Sequence, residues 1–290
     1  MMDVCLIPAF NRAEMLWHTL AHIRNAEGAE AIHYVFRFDY KHSPELHEVV
    51  RGFPFSHEIA LTPRSSYGIG KQSFSLLSGY KYAAGKSGGK VFMIEEDVFV
   101  ATDFFRWHYA VQAAHPDLFC SIAVANPNRQ VPEGAHDDYY LTTDDYCSIG
   151  VCFDRRVLID HVERHCTPGY YVQPSTHCRK HFPHAPFDPT HCEQDGLIRR
   201  IQWKQGIAMP IAYPYQAKAY HAGYYGMNRA DPPTGTLAQR VSHVSEVCYS
   251  DLAMRTFALH QSYYEDSKPV DLNAKAWQTI RLKPLPRGPL

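Results

Sequence analysis

The chain has 290 residues, 45% of them hydrophobic, with 29 Lys and Arg against 30 Asp and Glu and a formal net charge of -1. This length can bury a substantial core, as one large α/β domain or a domain with an extension, and the balanced charge offers no global pull toward nucleic acid or anionic membrane. The start, Met1-Met2-Asp3-Val4-Cys5, lacks a basic segment followed by an apolar stretch, and no apolar run reaches the roughly 20 residues needed to cross a bilayer. The expectation is a cytoplasmic enzyme whose eight cysteines are free thiols or metal ligands rather than disulfides.

Val4-Cys5-Leu6-Ile7-Pro8 is a short apolar run stopped by a proline, which suits a buried strand. Asn11 is placed to cap a helix over 12–24, where Met15, Leu16, Leu20 and Ile23 recur at helical spacing. A second strand, Ile32 to Phe38, ends at Asp39, and strand, helix, strand in this order reads as a βαβ unit with a parallel sheet. After a glycine-containing turn between Arg64 and Lys71, a helix runs through Phe74, Leu77, Tyr80 and Ala84 and breaks at Gly88-Gly89. Val91-Phe92-Met93-Ile94 then forms a buried strand leading into Glu95-Glu96-Asp97. A helix over 104–114 and strands over 119–125 and 148–153 follow.

Residues 160–192 are rich in His, Cys and Pro without clear periodicity and read as a loop-rich insertion. A helix over 195–204 comes next, then a loop-like stretch over 213–235 rich in Tyr, Gly and Pro. The fold class is therefore α/β, a mixed and mostly parallel sheet flanked by helices across 1–230. Residues 231–290 form a C-terminal helical extension (the helix about 236–262) and a proline-bearing tail.

Three consecutive acids after four apolar residues sit where ligands gather in an open α/β sheet, at the carboxyl end of a strand. Clustered carboxylates resist desolvation unless a cation or hydrogen-bond donors offset them. A divalent ion bridging a diphosphate would do so, with Asp97 as ligand and a neighbouring acid accepting ribose hydroxyls. The alternative is that the acids serve only the start of the helix ahead. The turn Gly68-Ile69-Gly70-Lys71 is not a P-loop, because the Walker spacing is absent.

Ile94-Glu95-Glu96-Asp97-Val98-Phe99-Val100-Ala101-Thr102-Asp103-Phe104-Phe105 resembles the acidic loop of GT-A glycosyltransferases, most closely the N-acetylglucosaminyltransferase I type. Glu96 stands where that family usually has Asp. The resemblance spans roughly residues 3 to 229 in the order of its parts, and it implies a Rossmann-like GT-A fold and a nucleotide-sugar donor, with a UDP-sugar as the usual case. It implies that Pro8, Phe10 and Arg12 line the nucleotide, Asp39 meets the base, and Arg64 and Lys71 counter the diphosphate. Glu95 would contact the donor sugar, Glu96 the ribose and Asp97 the metal, Mn2+ or Mg2+, with His221 completing the metal shell. An acidic helix start, Cys192-Glu193-Gln194-Asp195-Gly196, resembles the segment that carries the base in this inverting family, with Asp195 the first choice and Glu193 the second.

Three His-Cys pairs between 165 and 192 make a structural zinc site from Cys166, Cys178, His181 and Cys192 an open alternative to reduced thiols. The acceptor is a glycan or glycolipid precursor, or a hydroxymethylated pyrimidine in DNA. In the DNA case Arg199, Arg200, Lys204 and the tail residues Arg281, Lys283 and Arg287 would meet phosphates, and Tyr224 and Tyr225 would stack on a base. Two further classes remain: a nucleotidyltransferase, although Pro8-Ala9-Phe10-Asn11-Arg12 is not the glycine-rich basic loop such enzymes use, and a non-catalytic sugar- or zinc-binding module.

Overall fold

The computed structural model describes residues 2–65, 67, 71–125, 138–143, 146–223 and 232–248. The strands are β1 (Asp3–Ala9), β2 (Ile32–Phe38), β3 (His57–Leu61), β4 (Lys90–Met93), β5 (Val98–Val100), β6 (Cys120–Ile122), β7 (Tyr139–Thr142), β8 (Val151–Asp154), β9 (Ile211–Pro214) and β10 (Ala219–His221). The helices are α1 (Ala13–Arg24), α2 (Glu45–Arg51), α3 (Lys71–Lys86), α4 (Phe104–Ala114), α5 (Arg155–Val157), α6 (Pro168–Val172), α7 (Pro174–His181), α8 (Gln194–Gln205) and α9 (Leu237–Cys248).

Eight strands form one sheet in the order β3-β2-β1-β4-β8-β6-β9-β7, and β10 pairs with β5 in a second, two-stranded sheet. The pairings β3/β2, β2/β1, β1/β4 and β6/β9 are parallel, whereas β8 opposes both its neighbours and β7 opposes β9. The mixed, mostly parallel sheet flanked by helices expected from the sequence is what is found. The chain first winds outward, β1 to β2 to β3, then returns across β1 to lay β4 on its other side. That reversal places a topological switch point between the carboxyl ends of β1 and β4, where adjacent loops diverge to opposite faces and leave a crevice.

The inner strands are buried on both faces, which is why their apolar runs are continuous rather than alternating. Val4 and Leu6 of β1 join a core with Leu77 and Tyr80 of α3 and Ile198 and Ile201 of α8. Cys5 and Ile7, pointing the other way, join Leu16 and Leu20 of α1 and Phe104 and Phe105 of α4. Helix α3 lies close on β1 at Gly79, where a methyl group would stand 3.0 Å from Leu6 Cδ2.

Several expected elements differ at their ends. Asn11 does not cap α1; Arg12 holds the N-cap position and its side chain is drawn away to the acids beyond β4. The stretch expected to be loop-rich carries α6 and α7. Thr167 caps α6 by accepting from Tyr170 N–H, and proline occupies the first turn of both helices. Local capping chemistry organises this segment without any long apolar period. Helix α9 docks on α1: Arg240 pairs with Glu14 at 3.0 Å and also with Glu45, and Val241 O lies 3.0 Å from His18 Nε2. The rest of the expected C-terminal helix, the tail with Arg281, Lys283 and Arg287, and Tyr224 and Tyr225 lie outside the described residues. Among the described residues no helix is long and apolar enough to cross a membrane.

Candidate active site at the carboxyl ends of β1 and β4

The loop after β1 and the acids after β4 meet across the switch point. Glu96 accepts Phe10 N–H at 2.9 Å and Arg12 Nε at 2.8 Å, and Arg12 Nη1 donates to Asp97 Oδ2 at 2.5 Å. Thr19 Oγ1 of α1 donates to Glu96 O at 2.8 Å, tying the helix to the acidic loop. These bonds are possible because Arg12, at the very start of α1, points back over the strand ends rather than out to solvent.

Glu96 is 4% exposed with both carboxylate oxygens engaged. It anchors the β1–α1 loop, and any ribose hydroxyl would have to use the remaining lone pairs of the same carboxylate. Asp97 is 1% exposed. Its Oδ2 meets Arg12 and His221 Nε2, the latter at 3.0 Å, while its Oδ1 is buried with no hydrogen-bond partner among the described residues. The β5/β10 ribbon makes this meeting: His221 faces Val98 across the ladder, and Ala222 N–H donates to Asp97 O at 2.7 Å. At Gly223 a methyl group would stand 2.1 Å from Asp97 Oδ2 and 3.1 Å from His221 Nε2, so the backbone passes as close as only glycine allows. Cys248 of α9 closes the back of the site, donating to Ala222 O at 3.6 Å. Burial and the charge of Asp97 push its thiol up to about 12.

On the other side of the acidic loop, Ser148 Oγ lies 3.2 Å from Asp195 Oδ2 and 3.5 Å from Glu95 Oε1. One hydroxyl proton serves one carboxylate at a time, so Glu95 and Asp195 face each other across an incompletely compensated gap. Burial, then the charges of Asp97 and Asp195, push Glu95 up to about 7 against the opposing pull of His221 and Arg12. Burial also pushes Asp195 up to about 6, partly offset by the Ser148 hydrogen bond, and its Oδ1 is buried without a partner. Burial raises Asp97 too, but His221 and Arg12 outweigh it and hold this carboxyl well below the usual range. Glu193, one residue before α8, is exposed and makes no cap to the helix. Gly196 lets α8 start this close: a methyl group there would stand 2.2 Å from His191 O.

The remaining expected residues lie around this centre. Pro8 is half-buried between Ile7 and Ala9 near the end of β1, and Phe10 is 45% exposed just beyond it. Asp39 follows β2 beside that loop; its N–H donates to Ala9 O at 3.2 Å and its Oδ1 accepts Lys41 N–H at 3.1 Å. Arg64 is exposed beyond β3, and Lys71 opens α3, its side chain lying outside the described residues. Ser148 and Gly223 were not singled out in the sequence. Serine and glycine are too common in loops to signal a site, and only the approach of distant strands gives these two their roles.

The fold of this corner suits a divalent cation. A buried carboxylate oxygen without a partner among the described residues stands beside an imidazole, and Glu95, Glu96 and Asp97 surround the Arg12 guanidinium, which bonds the last two. Asp97 and His221 would be the protein ligands, a small set for such an ion, which keeps water or takes substrate phosphate for the rest. The zinc expectation fares differently. Cys166 donates to Val162 O at 3.5 Å, Cys178 lies against Cys192, and His181 stacks on His177 with ring centres 4.3 Å apart. These four side chains do not converge, and among the described residues no group of three or more His, Cys, Asp or Glu is placed as a ready-made metal cluster. Only Cys178 and Cys192 meet, while Cys166 and His181 are engaged elsewhere. Nor is Arg200 available to phosphates, since it is 3% exposed and donates to the carbonyls of His191, Gly196 and Asp188.

No family model and no curated protein matches the chain. Among solved structures, S. aureus TarS is similar at 12% identity over 90% of this chain, with a TM-score of 0.47, and the chain spans only 41% of TarS. Mannosyltransferase PcManGT from Pyrobaculum calidifontis, in complex with GDP-Man and Mn2+, is similar at 13% identity over 93% of this chain and 79% of its own, TM-score 0.47. Mouse xyloside xylosyltransferase 1 is similar at 11% identity over 70% of this chain and 82% of its own, TM-score 0.42. At these values the likeness assigns neither activity nor substrate to this chain.

Proposed function

We propose that the chain is a metal-dependent glycosyltransferase of the GT-A kind that moves a sugar from a nucleotide-sugar, a UDP-sugar in the first instance, to an acceptor hydroxyl with inversion. The observation that carries this reading is the charge-short corner at the β1/β4 switch point. There Asp97 has a buried oxygen without a partner, and Glu95 and Asp195 flank one hydroxyl. The resemblance of residues 94–105 to the acidic loop of such enzymes supports it independently.

In this reading Asp97 and His221 hold the cation, which neutralises the departing diphosphate. Arg12 orients Asp97 and adds positive charge beside the phosphates. Pro8, Phe10 and Asp39 border the nucleotide, Arg64 and Lys71 approach the diphosphate side, and Glu95 faces the donor sugar. Asp195 takes the acceptor proton. A carboxylate with its pKa raised to about 6 is a better base than an ordinary aspartate while still ionised at neutral pH. Glu193, exposed at the start of α8, is the weaker candidate. The internal use of Arg200 favours a glycan-type acceptor over modified DNA.

The test is a donor screen. UDP-, GDP- and CMP-sugars are added with and without Mn2+, and nucleotide release and thermal stabilisation are measured. UDP-sugars are expected to stabilise the protein only with metal. Stabilisation by a nucleoside triphosphate alone would turn the assignment toward nucleotidyl transfer, and silence with every sugar nucleotide would leave a binding module.

A further inference from the structure

Helix α8 carries more than Asp195. Asp195, Arg199 and Trp203 are four residues apart and share one stripe of the helix, with Trp203 about 12 Å along the axis from Asp195. At the far end of that stripe lies a cavity of about 520 Å³ lined by Thr143, Pro186, Phe187, Arg199, Trp203 and Gly206. Its size falls within the roughly 300–1,000 Å³ of small-ligand sites. A second stretch of chain makes the same connection: Thr143 lines the cavity, and Ser148, five residues on, meets Asp195 at 3.2 Å. Helix α8 thus carries residues of both the cavity and the carboxylate site.

The lining is aromatic and cationic. The rings of Phe187 and Trp203 stand nearly perpendicular, 6.4 Å between centres, and the Arg199 guanidinium lies 4.6 Å from the centre of the Phe187 ring. Such rings offer an apolar face to the C–H side of a pyranose, and a planar guanidinium offers N–H donors to its hydroxyls. Strands of nucleic acid are bound instead by a basic groove that tracks successive phosphates. Here the neighbouring Arg200 is buried in bonds to three backbone carbonyls.

We propose that this cavity is an acceptor subsite that holds one sugar ring of an oligosaccharide while a hydroxyl elsewhere on the same molecule reaches Asp195. The inference rests on the glycosyltransferase reading for that hydroxyl, though saccharide binding at the cavity can be measured without it. It requires an acceptor longer than a single ring, because Trp203 and Asp195 are too far apart for one pyranose to touch both.

The test uses the full chain and a fixed set of probes: maltotriose, cellotriose, chitotriose and mannotriose, their monosaccharides, and a ten-nucleotide oligothymidylate. Binding is followed by saturation-transfer NMR and tryptophan fluorescence in the wild type, Trp203→Ala, Phe187→Leu and Arg199→Gln. At least one trisaccharide is expected to bind better than its monosaccharide. Trp203→Ala and Phe187→Leu should weaken that binding about tenfold or more, while Mn2+-dependent UDP-sugar binding changes by less than about twofold. Phe187→Leu carries the test should Trp203→Ala fail to fold. The subsite is overturned by any of three outcomes: no trisaccharide binds, folded variants bind it as well as the wild type, or only the oligonucleotide depends on Trp203. Donor binding without saccharide binding sinks the subsite alone. Saccharide binding at Trp203 without any donor binding sinks the glycosyltransferase reading and leaves the cavity a saccharide site.

Discussion

Residues 95–97 and residues 165–192 are two places where metal-binding side chain types crowd together along this chain, and the fold treats them in opposite ways. At Glu95-Glu96-Asp97 negative charge converges from the end of β4 and the start of α8, and among the described residues only Arg12, from the loop after β1, and His221 stand against it. Glu95 and Asp195 are pushed up to about 7 and about 6, and Asp97 keeps a buried oxygen unpaired. Between 165 and 192 burial pushes His165 and His177 down to about 4, so both are neutral near pH 7, and the imidazoles pack on one another. Crowded ligand types along the sequence do not by themselves place a cation; the proposed site rests on carboxylates that converge in space.

The sharpest way to break that contrast is Asp97→Ala. Metal-dependent donor binding and turnover should fall by at least about 1,000-fold, because the change removes a proposed metal ligand and leaves Arg12 with one fewer partner. The paired change Cys178→Ser with Cys192→Ser should leave turnover within about twofold, and a chelator should not lower the Tm of the donor-free protein. A large chelator effect on folding would reinstate a structural metal in the second region.

Asp195→Asn should keep donor binding within about threefold and lower kcat by about 100- to 10,000-fold. The wild-type kcat/KM should fall about tenfold per pH unit below about pH 6, as the base becomes protonated. Stability should move the other way. A carboxyl whose pKa is raised on folding favours the folded state most at low pH and loses that contribution as pH rises through about 6. Asp195→Asn should therefore have a higher Tm than the wild type at pH 8 and little advantage at pH 4. An active Asn variant would move the base to Glu193.

The buried histidines give a third measurement. Desolvation lowers His18, His22, His165 and His177 to about 4 and His108 to about 3. The unfolded chain then binds more protons than the folded one between those values and about 6.5, so stability is full above that range and declines through it as pH falls. Glu95 and Asp195 act with the opposite sign over the same range, so the histidine contribution is read in the Asp195→Asn variant. There denaturant titrations should show a net loss of a few kcal/mol between about pH 6.5 and 4.5, because five imidazoles outweigh the raised carboxyls that remain.

The two smallest effects probe what joins the site together. Gly223→Ala should weaken metal-dependent donor binding about tenfold and lower the Tm by a few degrees, since its methyl group would press on Asp97 Oδ2. Ser148→Ala should shift the acidic limb of the pH profile upward by less than about one unit, because its hydrogen bond lowers the Asp195 pKa. A downward shift would place the hydroxyl on Glu95 instead.

Much of the framework was legible along the chain. The strand Ile32–Phe38 and the helix Phe104–Ala114 have the bounds that their apolar patterns indicate, and the acidic triplet announces itself by following a buried strand. The short edge elements β3 and β7 were not legible, because their alternating half-buried residues differ little from loop composition. The helices α6 and α7 escaped for another reason: they are held by a threonine cap and first-turn prolines rather than by a periodic apolar face.

Local sequence determined what depends on near neighbours: which segments form strands and helices, and that three acids would end up at a strand terminus. Tertiary structure decided what depends on distance in the chain. Arg12 reaches Glu96 and Asp97 across more than eighty residues, His221 arrives by pairing β10 with β5, and Ser148 falls between Glu95 and Asp195 only when β8 and α8 have packed. The pKa of a carboxylate is set by what surrounds it in space, and no stretch of sequence contains its own surroundings.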